Sequence, residues 1–273
     1  MKYLLSFLTV CVLLIACKKE PIEPDNSTDT EDIVLNDDDS DTVGQDGPST
    51  TNVSVSFRHK VDDQVVSLNN MKYYNADSTN FNVEVLKYFV SNLTFYGLDY
   101  TIKLDTAFYI DIDDNSTFTL SYDQPLVNDT YTKIGFTFGL DTGMNKMGLY
   151  TNAPEMNMEW PMMMGGGYHY MKLEGKYDSA GTTKNYKIHT GATAGIPGDF
   201  EVEFNLEDIT EFEVITADGE DIDIIIDMDI NKWMSSPHTI VLDSIDGGMM
   251  GDTTAQRLVK ENGHDVFSIG KID

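Results

Sequence analysis

The stretch EDIDIIIDMDI, residues 220–230, carries an apolar side chain at every second position from Ile222 onward. Successive side chains of a β-strand point to opposite faces of a sheet, so this alternation predicts a strand with one buried face. The side chains expected to face a core are Ile222, Ile224, Ile226, Met228 and Ile230. We therefore start from a half-buried β-strand and ask whether its neighbours follow the same pattern.

Short alternating runs recur through most of the chain from Asn52 onward. In DFEVEFNL, residues 199–206, the apolar side chains again share one face. Further strands are predicted at residues 53–58, 81–85, 88–95, 131–140, 168–175 and 185–190. Turn signals at Asp218-Gly219 and Gly247-Gly248 separate strands, and one amphipathic helix is predicted at Thr254–Glu261, ended by Asn262-Gly263. This pattern predicts an all-β fold, an immunoglobulin-like antiparallel β-sandwich with a short C-terminal helix.

The N-terminal residues 1–16 predict a lipoprotein signal peptide. Lys2 supplies a positive charge, and the apolar stretch from Tyr3 to Ala16 is shorter than the roughly 20 residues needed to span a bilayer. The sequence LIAC, residues 14–17, is similar to a bacterial lipobox, in which the cysteine thiol accepts the lipid. We therefore expect Cys17 to be the acylated N-terminus of the mature chain.

Residues 17–51 predict a disordered acidic tether, followed by a β-sandwich domain over residues 52–273. The tether is rich in Asp, Glu, Ser, Thr, Pro and Gly, so it has too little apolar surface to offset the entropy of ordering. A lipid anchor places the protein in the cell envelope, at the outer membrane or on a periplasmic face. The sequence Lys18-Lys19-Glu20 with an acidic tether is also compatible with surface exposure.

Composition and the absence of known motifs argue against several classes of function. The chain has 46 Asp and Glu against 18 Lys and Arg, a formal charge of −28, which argues against binding nucleic acid. The sequence contains no Gly-Xaa-Ser-Xaa-Gly elbow, no phosphate-binding loop and no His-Glu-Xaa-Xaa-His motif, so nothing in it predicts an enzyme. The cysteines are Cys11, inside the signal peptide, and Cys17, so acylation leaves no thiolate for a metal site.

Methionine and histidine are then the remaining soft and borderline ligands. The segment MNMEWPMMM, residues 156–164, is unusually rich in methionine, and thioether sulfur together with imidazole suits Cu(I). If this segment is extended, Met156, Met158 and Trp160 share one strand face. Methionine also serves as flexible core filler, and a single strand histidine such as His59 or His189 is often a hydrogen-bonded structural residue. The residue pattern alone leaves both interpretations open.

Several segments, taken in order, resemble the MbnP-like family of extracytoplasmic copper-binding proteins of the methanobactin-associated type. The resemblance covers essentially all of residues 52–271. The matching segments are FRH at 57–59, LKYFVSNL at 86–93, FTFGLD at 136–141, MEW at 158–160 followed by GYHYMKLEG at 167–175, IHTG at 188–191 and NGHDVF at 262–267.

The resemblance implies a β-sandwich that binds copper outside the cytoplasm. It makes His59 and His189 the imidazole ligands, Met158 the neighbouring soft ligand, and Trp160 a side chain near the metal. In some relatives that tryptophan is oxidised to kynurenine by a diheme peroxidase-like partner. This chain departs from the family pattern in two places. Met162 stands where a second tryptophan is common, and His169 replaces a non-histidine residue, as an extra ligand or an exposed side chain.

The leading hypothesis is an envelope lipoprotein that binds copper for capture, buffering or transfer, without catalysis. The alternative is a non-catalytic surface module that binds calcium, a glycan or a protein. In that case the alternating carboxylates of the opening stretch would matter, at the edge of a calcium site. These carboxylates are Asp221, Asp223, Asp227 and Asp229. The sequence does not predict an oligomeric state.

Overall fold

Strands dominate the chain in the computed structural model, which describes residues 50–122, 125–206, 221–246 and 248–272. The predicted signal peptide, Cys17 and residues 18–49 of the predicted tether lie outside these ranges, as do the predicted turn residues Asp218, Gly219 and Gly247. The first described strand, Thr50–Thr51, lies within the last two residues of the range predicted as tether.

The described elements comprise short strands, one α-helix and several single turns of 3-10 helix. The strands are β1 (Thr50–Thr51), β2 (Val53–Val61), β3 (Gln64–Val65), β4 (Tyr73–Tyr74), β5 (Asn80–Phe81), β6 (Val85–Gly97), β7 (Thr101–Asp111), β8 (Leu126–Val127), β9 (Tyr131–Phe138), β10 (His169–Ser179), β11 (Thr182–Gly191), β12 (Phe200–Asn205), β13 (Ile222–Asp229) and β14 (Phe267–Ile272). The 3-10 helices are Asn115–Thr117, Glu155–Met158, Met162–Met164, Ile230–Met234 and Leu242–Ile245. The α-helix, α1, is Thr253–Gly263.

The larger sheet is organised around β6. Strand β7 pairs along one edge of β6, while β10 pairs with the first half of the other edge and β9 with the second half. Strand β11 extends the sheet beyond β10, and β12 extends it beyond β9. Strands β10 and β9 thus pair one after the other along the same edge of β6, and the larger sheet is curled.

The smaller sheet has the order β14-β13-β2-β3, with the opening stretch of the sequence near its centre. Strand β13 pairs in parallel with β2 and antiparallel with β14. The side chains of Ile224, Ile226, Met228 and Ile230 are buried, as predicted, and Ile222 is half-buried. The all-β sandwich with a short helix is confirmed. The parallel pair was not predicted, and β14 follows the helix.

The main core lies between the two sheets, and we call the side of the larger sheet that faces it the inner face. Phe57 of β2 packs edge-on against Tyr88 of β6 and Phe136 of β9, with ring centroids 6.0 and 5.4 Å apart. The opposite side, the outer face, carries a second buried cluster. Its members are Phe89, Leu140, Met158, Tyr168 and Tyr170.

The methionine-rich segment is not extended, so the condition under which its side chains would share one strand face is not met. Met158 ends a 3-10 helix that spans Glu155–Met158, and Pro161 precedes a second one over Met162–Met164. Met158 and Trp160 are buried, whereas Met156 is 43% exposed. The helical turn rotates Met156 away from the side that Met158 presents to the sheet.

Helix α1 begins after Asp252, whose side chain accepts hydrogen bonds from the backbone N–H groups of Thr254 and Ala255. It extends one residue before and two residues beyond the predicted range, and it ends at Gly263. In the part of the chain that the structure describes, no helix combines the length and apolar character needed to cross a membrane.

A buried carboxylate joins the two parallel strands of the smaller sheet. Asp227 of β13 accepts hydrogen bonds from Nε and Nη2 of Arg58 at 2.6 and 3.0 Å and from Nζ of Lys60 at 3.2 Å. Burial raises the pKa of Asp227, but the hydrogen bonds from Arg58 and Lys60 outweigh it, so the net pKa lies below the ordinary value. Gly270 of β14 leaves the space that this pair occupies, since a Cβ there would come 2.6 Å from the Asp227 carboxyl.

We predict that Asp227→Asn lowers the free energy of unfolding by about 2 kcal/mol at pH 7, because charge-assisted hydrogen bonds are lost. A carboxylate with a depressed folded pKa stabilises the fold above its unfolded pKa of about 3.9 and loses that contribution as pH falls through the folded pKa. Urea denaturation should therefore show the difference from wild type at pH 7 and a smaller one near pH 3.

The matched control is Asp223→Asn, on the same face of β13 but exposed and bonded to Ser54. We expect it to change stability by less than about 0.5 kcal/mol. Equal effects of the two substitutions would contradict the assignment of a structural role to Asp227.

Candidate metal centre on the outer face of the sheet

The outer face of the larger sheet is covered where β6 and β10 meet. The segment 141–168 lies over it, with the ring of Tyr150 stacked on Phe89 at 5.6 Å between centroids. Nζ of Lys172 on β10 donates to the backbone oxygen of Asn157 in the same segment at 2.7 Å. A strip of the sheet is thereby buried on both faces, and polar side chains on that strip are withdrawn from water.

His189 is the first of two histidines on this strip. It pairs with Lys172 across β10 and β11, and Lys172 pairs with Lys87 of β6, so all three side chains share the outer face. Its Nε2 lies 2.7 Å from Oε1 of Glu174. A carboxylate at neutral pH only accepts hydrogen bonds, so Nε2 carries the proton and Nδ1 keeps its lone pair.

His169 reaches the same face through a β-bulge. The register of β10 and β11 shifts between His169 and Met171, so that His169 pairs with Gly191, two residues from His189. Bulges redirect side chains in this way. The rings of His169 and His189 lie 5.1 Å apart between centroids, in an edge-to-face arrangement. His169 is only 6% exposed, so of the two alternatives for this residue an exposed side chain is excluded.

The backbone of Met158 fixes the orientation of His169. Nδ1 of His169 lies 2.9 Å from the Met158 carbonyl oxygen, which can only accept, so Nδ1 carries the proton. The Met158 side chain is fully buried in the outer cluster, among the aromatic rings.

Trp160 completes the group. Its ring lies 4.8 Å from that of His169 between centroids, in an edge-to-face arrangement, and its Nε1 donates to the Met164 carbonyl oxygen at 3.4 Å. Gly191 provides the space for the indole, because a Cβ at that position would come 2.8 Å from the ring. We call Trp160, His169 and His189 the ring cluster.

Both histidines of the ring cluster are neutral at pH 7. Burial lowers the pKa of His169 to about 3. Burial also lowers the pKa of His189, although the hydrogen bond to Glu174 acts in the opposite direction. Metal ions bind the neutral form of imidazole, so neither histidine has to lose a proton first.

The hydrogen bonds of the two histidines match the usual surroundings of metal-binding imidazoles. Such histidines commonly donate one ring N–H to a carboxylate or a backbone carbonyl, which fixes the tautomer and leaves the other nitrogen for the metal. Glu174 and the Met158 carbonyl occupy those positions here. Over the described ranges, no group of three or more His, Cys, Asp or Glu side chains is placed to hold a metal ion. A metal here would depend on two imidazoles and on donors of other kinds.

His59 lies on the other side of the sheet. It projects from β2 into the main core, where Nε2 lies 2.9 Å from the hydroxyl of Tyr88 and the ring packs against Phe118. Tyr88 pairs with Met171 on the inner face, whereas His189 is on the outer face. The structure therefore brings Trp160, His189 and the backbone carbonyl of Met158 together around His169, and it does not bring His59 to them. Burial lowers the pKa of His59 to about 4, and its Nδ1 has no hydrogen-bond partner.

Sequence reasoning assigned no firm role to His169. Regular alternation in YHYMK, residues 168–172, places His169 on the same face of the strand as Met171. Only a bulge between the two residues moves His169 to the opposite face. No residue pattern in this segment predicts the bulge.

The alternating aspartates of the opening stretch each have protein partners and do not converge. Asp221 accepts from Asn52 at 2.8 Å, and Asp223 accepts from Ser54. Asp229 accepts from the backbone N–H groups of Asp62 and Asn231. With Asp227 held by Arg58 and Lys60, this geometry gives no support to a calcium site along β13.

The fold and the ring cluster define a β-sandwich protein with a buried histidine pair beside a tryptophan. The MbnP family model matches residues 50–250, and the chain belongs to the MbnP family. The solved structure of MbnP from Methylosinus trichosporium aligns with a TM-score of 0.48 at 13% sequence identity, covering 80% of this chain and 97% of that chain. No curated protein matches the sequence.

We predict that Gly191→Ala displaces the Trp160 ring, because the added Cβ would overlap it, and that overpacking lowers the free energy of unfolding by about 1–3 kcal/mol. Near-ultraviolet circular dichroism reports the ring, and urea denaturation reports the stability. Gly251→Ala is the control, since its φ lies outside the left-handed region and the atom nearest to an added Cβ, Cε of Met164, is 4.0 Å away. An unchanged near-ultraviolet spectrum for Gly191→Ala would contradict the packing of Trp160 on Gly191.

Proposed function

We propose that this member of the MbnP family binds copper at the ring cluster, with His169 and His189 as ligands. The observation that carries the proposal is the pair of buried histidines whose ring centroids lie 5.1 Å apart, each with its protonated nitrogen bound to a protein oxygen, so that the other nitrogen of each ring retains a lone pair.

The spacing of the rings supports a single ion shared by both histidines. A metal–imidazole nitrogen distance of about 2.0 Å places the ion roughly 3 Å from each ring centroid. Two rings whose centroids are 5.1 Å apart lie within reach of one ion at that distance.

The donor set favours copper over harder cations. Calcium and magnesium require several oxygen ligands, and a site of two imidazoles in a largely apolar environment does not provide them. Imidazole suits copper, and Cu(I) is soft. A monovalent ion also carries less charge into a buried site than a divalent one, so its desolvation costs less.

Trp160 and Met158 support the site in different ways. The indole of Trp160 packs edge-to-face against the ring of His169. The family resemblance implies a tryptophan near the metal, and Trp160 is the residue proposed for that role. Met158 contributes its carbonyl to His169. We propose that Trp160 is the side chain that a diheme peroxidase-like partner oxidises.

We propose a binding role without catalysis: capture, buffering or transfer of copper in the cell envelope. The buried ligands favour retention of the ion. Release to a partner would then require movement of the covering segment 141–168, which contacts the sheet through Asn157 and Lys172.

The protein should retain one tightly held equivalent of Cu(I), and His169→Gln or His189→Gln should abolish this retention, because each removes one of two imidazole ligands. Loading with Cu(I), dialysis against copper-free buffer and elemental analysis give the stoichiometry, and far-ultraviolet circular dichroism establishes that each variant is folded. His59→Gln should keep the full stoichiometry, since His59 lies on the inner face.

The matched control is His238→Gln, whose histidine is half-buried and paired with Glu261 outside the ring cluster. Loss of copper in the His59 variant with retention in the two ring-cluster variants would reject the proposed ligands. Full copper binding by the His169→Gln/His189→Gln double variant would reject the site.

The location in the envelope is a separate proposal that rests on Cys17. We expect the wild-type protein, expressed in a bacterium that processes lipoproteins, to partition into the detergent phase of a Triton X-114 extraction. Cys17→Ser should move it to the aqueous phase, because it lacks the thiol that accepts the lipid. Cys11→Ser, inside the signal, is the control, and equal partitioning of Cys17→Ser and wild type would contradict acylation at Cys17.

A further inference from the structure

Three methionines near the ring cluster are exposed to solvent to an unusual degree. Met147 is 45% exposed, Met162 is 74% exposed and Met163 is 91% exposed. Isolated exposed apolar side chains are ordinary, but neighbouring ones mark a site of interaction. The ring-cluster site proposed above uses none of these three side chains, so a separate explanation is required.

The turn after Met164 brings the end of the Met147 side chain beside Met162, and Met163 follows Met162 in the same 3-10 turn. Gly165, Gly166 and Gly167 all have positive φ, at 128°, 69° and 84°, a conformation that residues with a Cβ rarely adopt. Cε of Met147 lies 2.9 Å from the point where a Cβ on Gly166 would stand, and Cα of Met162 lies 3.9 Å from the same point. The end of the Met147 side chain is thus a neighbour of the Met162 backbone, across the space left by the glycine.

We propose that Met147, Met162 and Met163 form a solvent-facing thioether site for a soft monovalent cation, Cu(I) or its analogue Ag(I). Thioether sulfur is a neutral, soft ligand that requires no deprotonation, and methionine has three rotatable side-chain bonds with which to adapt to an ion. We refer to these three residues as the methionine site.

The methionine site lies one helical turn from the ring cluster. Met162–Met164 form a single 3-10 turn, and the Met164 carbonyl accepts the hydrogen bond from Nε1 of Trp160, whose ring contacts His169. An ion on the exposed sulfurs would therefore be held next to the element that covers the buried histidines. The formal charge of −28 also raises the local concentration of cations around the protein.

This position suggests that the methionine site is where copper first binds before exchange to the histidines, an extension that rests on the proposed function. Solvent-exposed thioethers compete with water for their ion and hold it weakly, whereas the buried imidazoles are already oriented. Ligand exchange from sulfur to nitrogen needs no redox step, and the ion remains Cu(I) throughout.

The direct test is titration of the protein with Ag(I), observed by NMR of methionine methyl groups labelled with carbon-13. The experiment uses the His169→Gln/His189→Gln variant so that the buried site does not compete. The methyl signals of Met147, Met162 and Met163, assigned by single Met→Leu substitutions, should shift together with the first equivalent. Met147→Leu/Met162→Leu/Met163→Leu should lose this equivalent, because leucine keeps the apolar volume and removes the sulfur.

Met156→Leu is the matched control, because Met156 has a similar exposure of 43% in the same covering segment but belongs to the other 3-10 helix. It should leave the titration unchanged. Ag(I) binding that survives the triple substitution, or shifts spread equally over Met156 and the three site methionines, would overturn the methionine site.

The role in loading is tested in the protein with intact histidines. When one equivalent of Cu(I) is supplied as a chelator complex, the triple leucine variant should reach the same final occupancy as wild type but more slowly. Equal loading rates would reject the loading role. Copper that the His169→Gln/His189→Gln variant still retains after dialysis against copper-free buffer would instead reject the buried site, and the Ag(I) shifts of the three methionines would decide the methionine site separately.

Discussion

The candidate site depends on the burial of the larger sheet on both of its faces. Every residue of β6 from Tyr88 to Phe95 is buried, so one side of this strand contributes to the main core and the other side requires a separate cover. The segment 141–168 provides that cover through the outer cluster around Phe89 and Tyr168. A sheet with one wet face would leave His169 and His189 hydrated, and their pKa values would not be lowered by burial.

One irregularity of strand pairing then determines which side chains meet. The bulge between His169 and Met171 turns the His169 ring onto the outer face, beside His189. The Met158 carbonyl and Glu174 fix one nitrogen of each ring, and Gly191 admits Trp160. The same covering segment carries the exposed methionines, so a buried nitrogen site and an exposed sulfur site belong to one continuous stretch of chain.

Sequence reasoning predicted strands correctly where one face of the strand is buried and the other is exposed to solvent. The alternation in β13, β12 and β2 is regular because the smaller sheet and the end of the larger one face solvent on one side. It missed β7, an edge strand that is largely exposed or half-buried along its length, so its side chains carry little apolar periodicity. It also left the conformation of residues 156–160 undetermined, because a single 3-10 turn is too short to impose a helical period.

The sequence by itself determined the all-β class, the acidic charge, the family resemblance and the prediction that any soft-metal site must use histidine and methionine. These properties follow from local alternation and from composition, which need no knowledge of distant contacts. Only the tertiary structure decided that His169 rather than His59 accompanies His189. The reason for His169 is that strand register sets which face of a sheet a side chain occupies, and one bulged residue moves it to the opposite face. The reason for His59 is that its strand belongs to the smaller sheet, which packs against the inner face of the larger sheet.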